Sequence, residues 1–270
     1  YLRGFTAAGF SQDTWKPLDT EILAENEELL YWLNTNGYNP QMQFEQAISL
    51  TEKNEETKEK SLKKVTIQNL NACSEYMYVP YSLSSEECLT AENISPDGLA
   101  ADGNRMYTYS VIPEGIGEIG KILKKLKNSD DKEVEEYRQA ENAYRQFVYK
   151  YYLDISEETM TQMTPYWEMI SSSENKDKMT TAQAQNYARA FLEECFPEHG
   201  EGSELELPLE TVEDSSYQYA TVAVLTLRYY GIPARYAEGY IITEEMADGM
   251  DKNGSLQLDE SCSGAWAEVY

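Results

Sequence analysis

Ser215-Ser-Tyr-Gln-Tyr-Ala-Thr-Val-Ala-Val-Leu-Thr-Leu-Arg-Tyr-Tyr-Gly-Ile-Pro-Ala-Arg235 is the stretch whose reading decides the fold. From Tyr217 to Tyr230 apolar or aromatic side chains fall on nearly every face, which marks a buried helix rather than a surface helix with one apolar stripe. Ser216 is the expected N-cap. Gly231 falls where a left-handed C′ residue belongs, and Pro233 cannot continue the helix and holds Ile232 extended. Residues 234–243 then read as a strand, 244–263 as an acidic, glycine-containing loop, and 265–270 as a second strand paired with the first.

Outward from this stretch, two more helical stripes precede it. One is Val134, Tyr137, Tyr144, Phe147, Val148 and Tyr151, opened by a capping signal at Ser129 to Asp131; the other is Ala184, Tyr187, Ala188, Phe191, Leu192 and Cys195. Their spacings of three and four assign them to core faces, not to a cofactor box. Residues 1–128 read differently. Segments 65–70, 75–79 and 106–112 are β-branched or aromatic and partly alternating, with Asn, Ser, Asp and Gly between them. Residues 20–34 read as a short helix and 51–64 as a charged connector. The expected class is α+β. A mainly β domain over 1–128 precedes a domain over 129–270 in which a helical segment leads to a buried helix packed on antiparallel sheet.

The 270 residues hold 22 Lys and Arg against 48 Asp and Glu, a net charge of −26. That argues against nucleic acid as a partner and against direct adhesion to anionic lipid or anionic wall polymers, while it keeps a surface domain soluble. No run reaches the ~18 to 20 apolar residues of a membrane span. The chain opens on Tyr1-Leu-Arg-Gly without an initiator Met or a signal-type apolar stretch, so it is expected to be a piece of a longer protein. The 22 tyrosines are assigned to ordinary strand and helix packing.

Three motifs have plainer readings. Gly115-Ile-Gly-Glu-Ile-Gly120 has the spacing of a dinucleotide loop, but Glu114 and Glu118 put negative charge where a pyrophosphate would sit, and no ribose-binding acid follows on a second strand. It reads as a turn, and no cofactor is expected. Cys195 and His199 are four apart, yet Pro197 between them breaks the helix such spacing requires, and two ligands make no metal site. His199 reads as a solvated loop residue. Cys73, Cys88, Cys195 and Cys262 allow three connectivities; Cys73 with Cys88 and Cys195 with Cys262 keep each pairing within one expected domain, and free thiols are an equal alternative.

Leu227-Arg-Tyr-Tyr-Gly-Ile-Pro-Ala-Arg-Tyr236, then Gly239-Tyr240, then Ala265-Trp-Ala-Glu-Val-Tyr270 resemble, in that order, the core of the transglutaminase-like (papain-like cysteine enzyme) superfamily, in particular its bacterial membrane-anchored branch. In that family a cysteine at the head of the buried helix, its thiolate favoured by the helix dipole, works with a histidine on the adjacent strand. Counting back four from Ala220 puts the family cysteine position at Ser216, and counting back from Ala265-Trp266 puts the histidine position at Gly264. Neither catalytic group stands there. The third family position, an Asp or Asn on the next strand, would fall after Tyr270. Residues 205–215, which in the family present the cysteine, are short and lack its aromatic-rich residues, so the surroundings are remodelled as well.

Weaker resemblances extend upstream. Residues 65–83 resemble the small sandwich-like domain ahead of the core, 144–158 the helix that joins the two, and Tyr1-Leu-Arg-Gly with Trp15 the start of the outer region. The resemblance implies an extracytoplasmic location in a protein anchored by membrane spans outside this chain, with a protein or cell-envelope component as partner. Two readings of activity follow. In one the domain is catalytically degenerate and has a binding or structural role, extending to a plain spacer. In the alternative it is an active cysteine-protease or acyl-transfer enzyme with a displaced nucleophile, Cys262 or Cys195. A Ser216–His199 pair is disfavoured, because serine needs a base within hydrogen-bond reach.

Overall fold

The computed structural model describes residues 1–40, 43–52, 63–81, 105–111, 119–170, 179–196, 207–209 and 215–270. It is α+β, with open antiparallel sheets. In chain order the elements are strands β1 (Leu2–Ala7), β2 (Gly9–Ser11) and β3 (Thr14–Lys16), then helices α1 (Thr20–Glu25), α2 (Glu27–Thr35) and α3 (Gln43–Glu52). Strands β4 (Lys63–Gln68), β5 (Val79–Pro80) and β6 (Met106–Val111) come next, followed by helices α4 (Ile119–Lys127), α5 (Lys132–Tyr151), α6 (Glu157–Ile170), α7 (Thr181–Cys195) and α8 (Ser216–Tyr229). The chain ends with β7 (Ala234–Tyr240), the short α9 (Glu244–Asp248) and β8 (Ser263–Val269). Two compact units result, each assembled from three chain segments: Tyr1–Phe5, Thr20–Tyr144 and Gly239–Leu258 in the first, and Thr6–Asp19, Arg145–Glu238 and Asp259–Tyr270 in the second.

In the first unit the helix expected over 20–34 is two helices. Asn26 leaves the helical path and donates from its side-chain amide to the Ile22 carbonyl at 2.7 Å, so α1 ends and α2 starts there. The helix α3 has no counterpart in the sequence reading; its Ala47 and Ile48 pack with Ile122 and Leu126 of α4 and Val134 of α5. Strands β4 and β6 pair antiparallel from Lys63 opposite Val111 to Gln68 opposite Met106. Tyr107, Tyr109 and Val111 of β6 are buried with Met77 and Val79. Of the segment 75–79 expected as a strand, Val79 lies in β5, where it pairs with Arg3 while Pro80 pairs with Leu2, and Tyr76 makes a single β-bridge. The Tyr78 amide instead donates to the Tyr107 hydroxyl at 2.7 Å. Gly239 is fixed by space: a Cβ there would lie 1.9 Å from the Leu2 carbonyl oxygen. Residues 53–62 of the charged connector and 115–118 of the glycine motif lie outside the described residues. Gly120 is the second residue of α4.

The second unit is built around α8. Residues 220–226, with Arg228 and Tyr229, are buried, as expected of a helix apolar on nearly every face. Val222, Leu225 and Tyr229 pack with Met163 and Trp167 of α6 and with Ala184, Ala188, Phe191 and Cys195 of α7. Trp167 donates its indole N–H to Thr226 Oγ1 at 2.9 Å and stacks on Tyr229 at 4.3 Å, so a polar group deep in this core is satisfied. The helix α6 is also absent from the sequence reading, because Pro165 lies inside it and removes one backbone donor. Gly231 has φ of +79°, and the amides of Gly231 and Ile232 donate to Arg228 and Leu227 carbonyls at 2.9 Å each, which closes α8 as expected.

Beyond that turn the expected strands form, with shifted limits. Strand β7 stops at Tyr240, and β8 begins at Ser263, two residues earlier than read. They are neighbours, with β1 on the other side of β7. The Tyr270 amide donates to the Pro233 carbonyl at 3.2 Å, and Arg235 forms an ion pair with Glu268. The expected loop between them carries α9, capped by Thr243, and a single 3-10 turn at Glu260–Cys262.

Arg228 locks these parts together. Only 3% exposed, it donates from Nε to Ala234 O (2.7 Å) and from Nη1 to Ala8 O (2.6 Å) and Asp154 O (2.8 Å). Burial pulls its pKa down to about 10, partly offset by the charge of Asp154. Replacing Arg228 with Met removes the cation but leaves three carbonyls unpaired, and should destabilise the fold by about 3–5 kcal/mol. A lowered urea midpoint at unchanged slope checks this; a midpoint within error of the parent contradicts it.

Candidate functional site

The site is the head of α8 against the start of β8. The cap is one residue earlier than expected: Ser215, extended at φ −119°, accepts from the Gln218 amide at 3.3 Å and is the N-cap. Ser216 is therefore the first helical residue, and its hydroxyl is released from capping. It accepts instead from the Ala265 amide of β8 at 3.1 Å. Ser216 and Gly264, expected from the sequence at the two family positions, are thus brought together: the hydroxyl of one binds the backbone next to the other. Ser216 is half-buried, and Gly264 and Ala265 are buried.

A chain of hydroxyls surrounds this contact. Tyr217 donates to Ser263 Oγ at 3.4 Å, and Tyr236 on β7 donates to Glu238 Oε1 at 2.7 Å. Burial raises the Tyr236 phenol far above its ordinary range, reinforced by the bond to Glu238, the Glu238 charge and Tyr217. Trp15 closes the back of this group. Its ring stacks on Tyr236 at 4.9 Å and 8°, and its indole N–H donates to Thr221 Oγ1 at 2.9 Å, while that hydroxyl donates to the Tyr217 carbonyl at 2.9 Å. Sequence reasoning gave Trp15 no role in the site, since it lies on the hairpin of β2 and β3 at the other end of the chain. That hairpin turns through Gln12 (φ 50°) and Asp13 (φ 53°), both left-handed, the geometry of a tight two-residue turn.

The chemistry of the arrangement is hydrogen bonding. The partner of Ser216 Oγ is an N–H, which donates and has no lone pair to take a proton, so nothing in this contact activates the hydroxyl. Imidazole is absent from the described residues; His199 and Cys88 lie outside them. Cys73, Cys195 and Cys262 are free, which corrects the pairing of Cys195 with Cys262. Cys195 is committed to the core on α7 instead, and burial, with the charge of Glu194, pushes its thiol up to about 12. Cys262 ends the 3-10 turn and donates to Asp259 Oδ1 at 3.8 Å. Among the described residues no three His, Cys, Asp or Glu side chains gather as a metal site.

Residues 197–270 match the model of the transglutaminase-like superfamily, so a transglutaminase-like domain occupies this part of the chain. No curated protein and no solved structure matches.

The state of Cys195 gives a pH test. Its folded pKa lies above the 9.0 of an ordinary thiol, so its contribution is complete below pH 9 and is lost as pH rises toward about 12, where the unfolded chain ionises first. The urea midpoint should fall across that window, less steeply in Cys195→Ala than in the parent. Equal slopes in the two proteins would contradict this account.

Proposed function

We propose, from the premise that residues 197–270 form a transglutaminase-like domain, that the chain is a catalytically degenerate member of the membrane-anchored branch, acting outside the cytoplasmic membrane by binding a protein or cell-envelope component. The observation that carries this reading is the bond from the Ala265 amide to Ser216 Oγ beside Gly264. The helix head and the strand meet as acyl-transfer chemistry requires, but a hydroxyl bound to a backbone donor stands in place of a thiolate, and a residue without a side chain in place of the base. A Ser216 alkoxide would need a base that the surrounding Tyr217, Ser263 and Ala265 do not provide. The raised thiol of Cys195, sealed among Ala184, Ala188 and Phe191, speaks against that residue as a displaced nucleophile. What remains at the site is a half-buried surface of the Tyr217 phenol, serine hydroxyls and the Glu238 carboxylate, which suits recognition through hydrogen bonds.

The test is an assay of amide hydrolysis and amine transfer on acyl-donor peptides, run on the parent, Ser216→Ala and Cys262→Ser. All three should match the buffer rate, and Ser216→Ala should cost about 1 kcal/mol of stability through its lost hydrogen bond. Turnover in the parent that vanishes in either variant would overturn the reading.

A further inference from the structure

The net charge of −26 hides a local reversal of sign. The helix α4 reads Ile-Gly-Lys-Ile-Leu-Lys-Lys-Leu-Lys, with four lysines and no acid in nine residues. Its Ile122 and Leu126, four apart, are buried against Ala47, Ile48 and Val134. That orientation turns Lys121, Lys124, Lys125 and Lys127 outward, all exposed, with Leu123 beside them 54% exposed. Lys124 lies opposite the buried edge, and Leu123 and Lys127, one turn apart, flank it on one side.

Helix stability accounts for only part of this pattern. Lysines 124, 125 and 127 in the last turn favour the C-terminal end of the dipole. Lys121 is in the first turn, where the dipole disfavours a cation, and an exposed leucine among lysines gains nothing from the dipole at all. Lys121 and Lys125 also make contacts within the fold. Several acids of the neighbouring helices are engaged on their own helix: Glu135 with Arg138 at 2.8 Å, Glu136 with Lys132 at 3.2 Å, and Glu45 with the Ser49 hydroxyl at 2.7 Å. Screening over about 8 Å at physiological salt separates this face from the more distant carboxylates, so an approaching surface meets the local charge and not the net one.

We propose that the outward face of α4 docks on an anionic lipid surface, with Lys124 and Lys127 on headgroup phosphates and Leu123 entering the headgroup layer. Charge complementarity selects an anion, and the protruding leucine selects a surface with an apolar interior over a hydrated polyanion. This surface belongs to the first unit, and the proposal does not depend on the function proposed for the head of α8.

Flotation with vesicles of phosphatidylcholine and phosphatidylglycerol, against pure phosphatidylcholine, tests it. The parent should float only with the anionic vesicles and lose binding as salt rises. Lys124→Gln with Lys127→Gln should lower the partition coefficient roughly 25-fold, about five-fold per lysine. Leu123→Ser should weaken binding several-fold on the same vesicles while leaving the salt dependence unchanged, which separates insertion from charge attraction. Unchanged thermal unfolding of these exposed variants confirms that they are folded. Equal binding to neutral vesicles, no binding at low salt, or a folded lysine variant that floats like the parent overturns the proposal. Salt-sensitive self-association of the parent without lipid, abolished by the same lysine changes, also overturns it and makes a second copy the occupant.

Discussion

The guanidinium of Arg228 is the constraint on which the second unit depends. Its three donated bonds reach the backbone at Ala8, Asp154 and Ala234, so one side chain near the end of α8 holds the segment entering the β2 hairpin, the exit from α5 and the start of β7. Carbonyls rather than carboxylates accept its bonds, and burial lowers its pKa to about 10 against the opposing charge of Asp154. The Trp15 ring lies 5.4 Å from the guanidinium carbon and supplies a π face to it. The same ring stacks on Tyr236. A buried cation, an indole and a phenol therefore connect the floor of the unit to the hydroxyl chain at the head of α8.

The head of α8 shows how two residues that carry no ionisable group can hold a helix end against a strand. The requirements at the head of α8 are geometric: a small polar side chain at 216 to meet the Ala265 amide, and a strand that passes close by at 264. Serine meets the first with an oxygen that accepts the bond, and glycine meets the second. Neither has to ionise. Glu268 and Arg235, which belong to the matched segment and pair across β7 and β8, are each about seven-eighths covered, at 13% and 12% side-chain exposure. Their pairing is structural: it ties Arg235 of β7 to Glu268 of β8.

How much of this was legible in the sequence follows from the range of the forces involved. The burial of α8, its stop at Gly231 and the strands on either side of the acidic loop rest on local pattern and backbone sterics, and those readings agree with the structure. The cap moved from Ser216 to Ser215 because two adjacent serines offer the same hydroxyl, and only the position of β8 decides which one is drawn away. Pro165 masked α6, since tertiary packing of Thr159, Met163 and Trp167 outweighs one missing backbone donor. The part played by Trp15 was illegible for another reason: it depends on Thr221, 206 residues further along. The lysine face of α4 was obscured by averaging, as a net charge of −26 says nothing about nine consecutive residues.

The three-segment construction of the second unit has a consequence for biosynthesis. Phe10 and Trp15 are made some two hundred residues before the α8 residues that cover them, a delay of roughly 10–40 s at ordinary elongation rates of about 5–20 residues per second. Through that interval the opening hairpin presents aromatic surface with no lasting partner. The unit closes only once β8 has been made, so the residues of this hairpin, the first of the unit to be synthesised, are among the last of it to be buried.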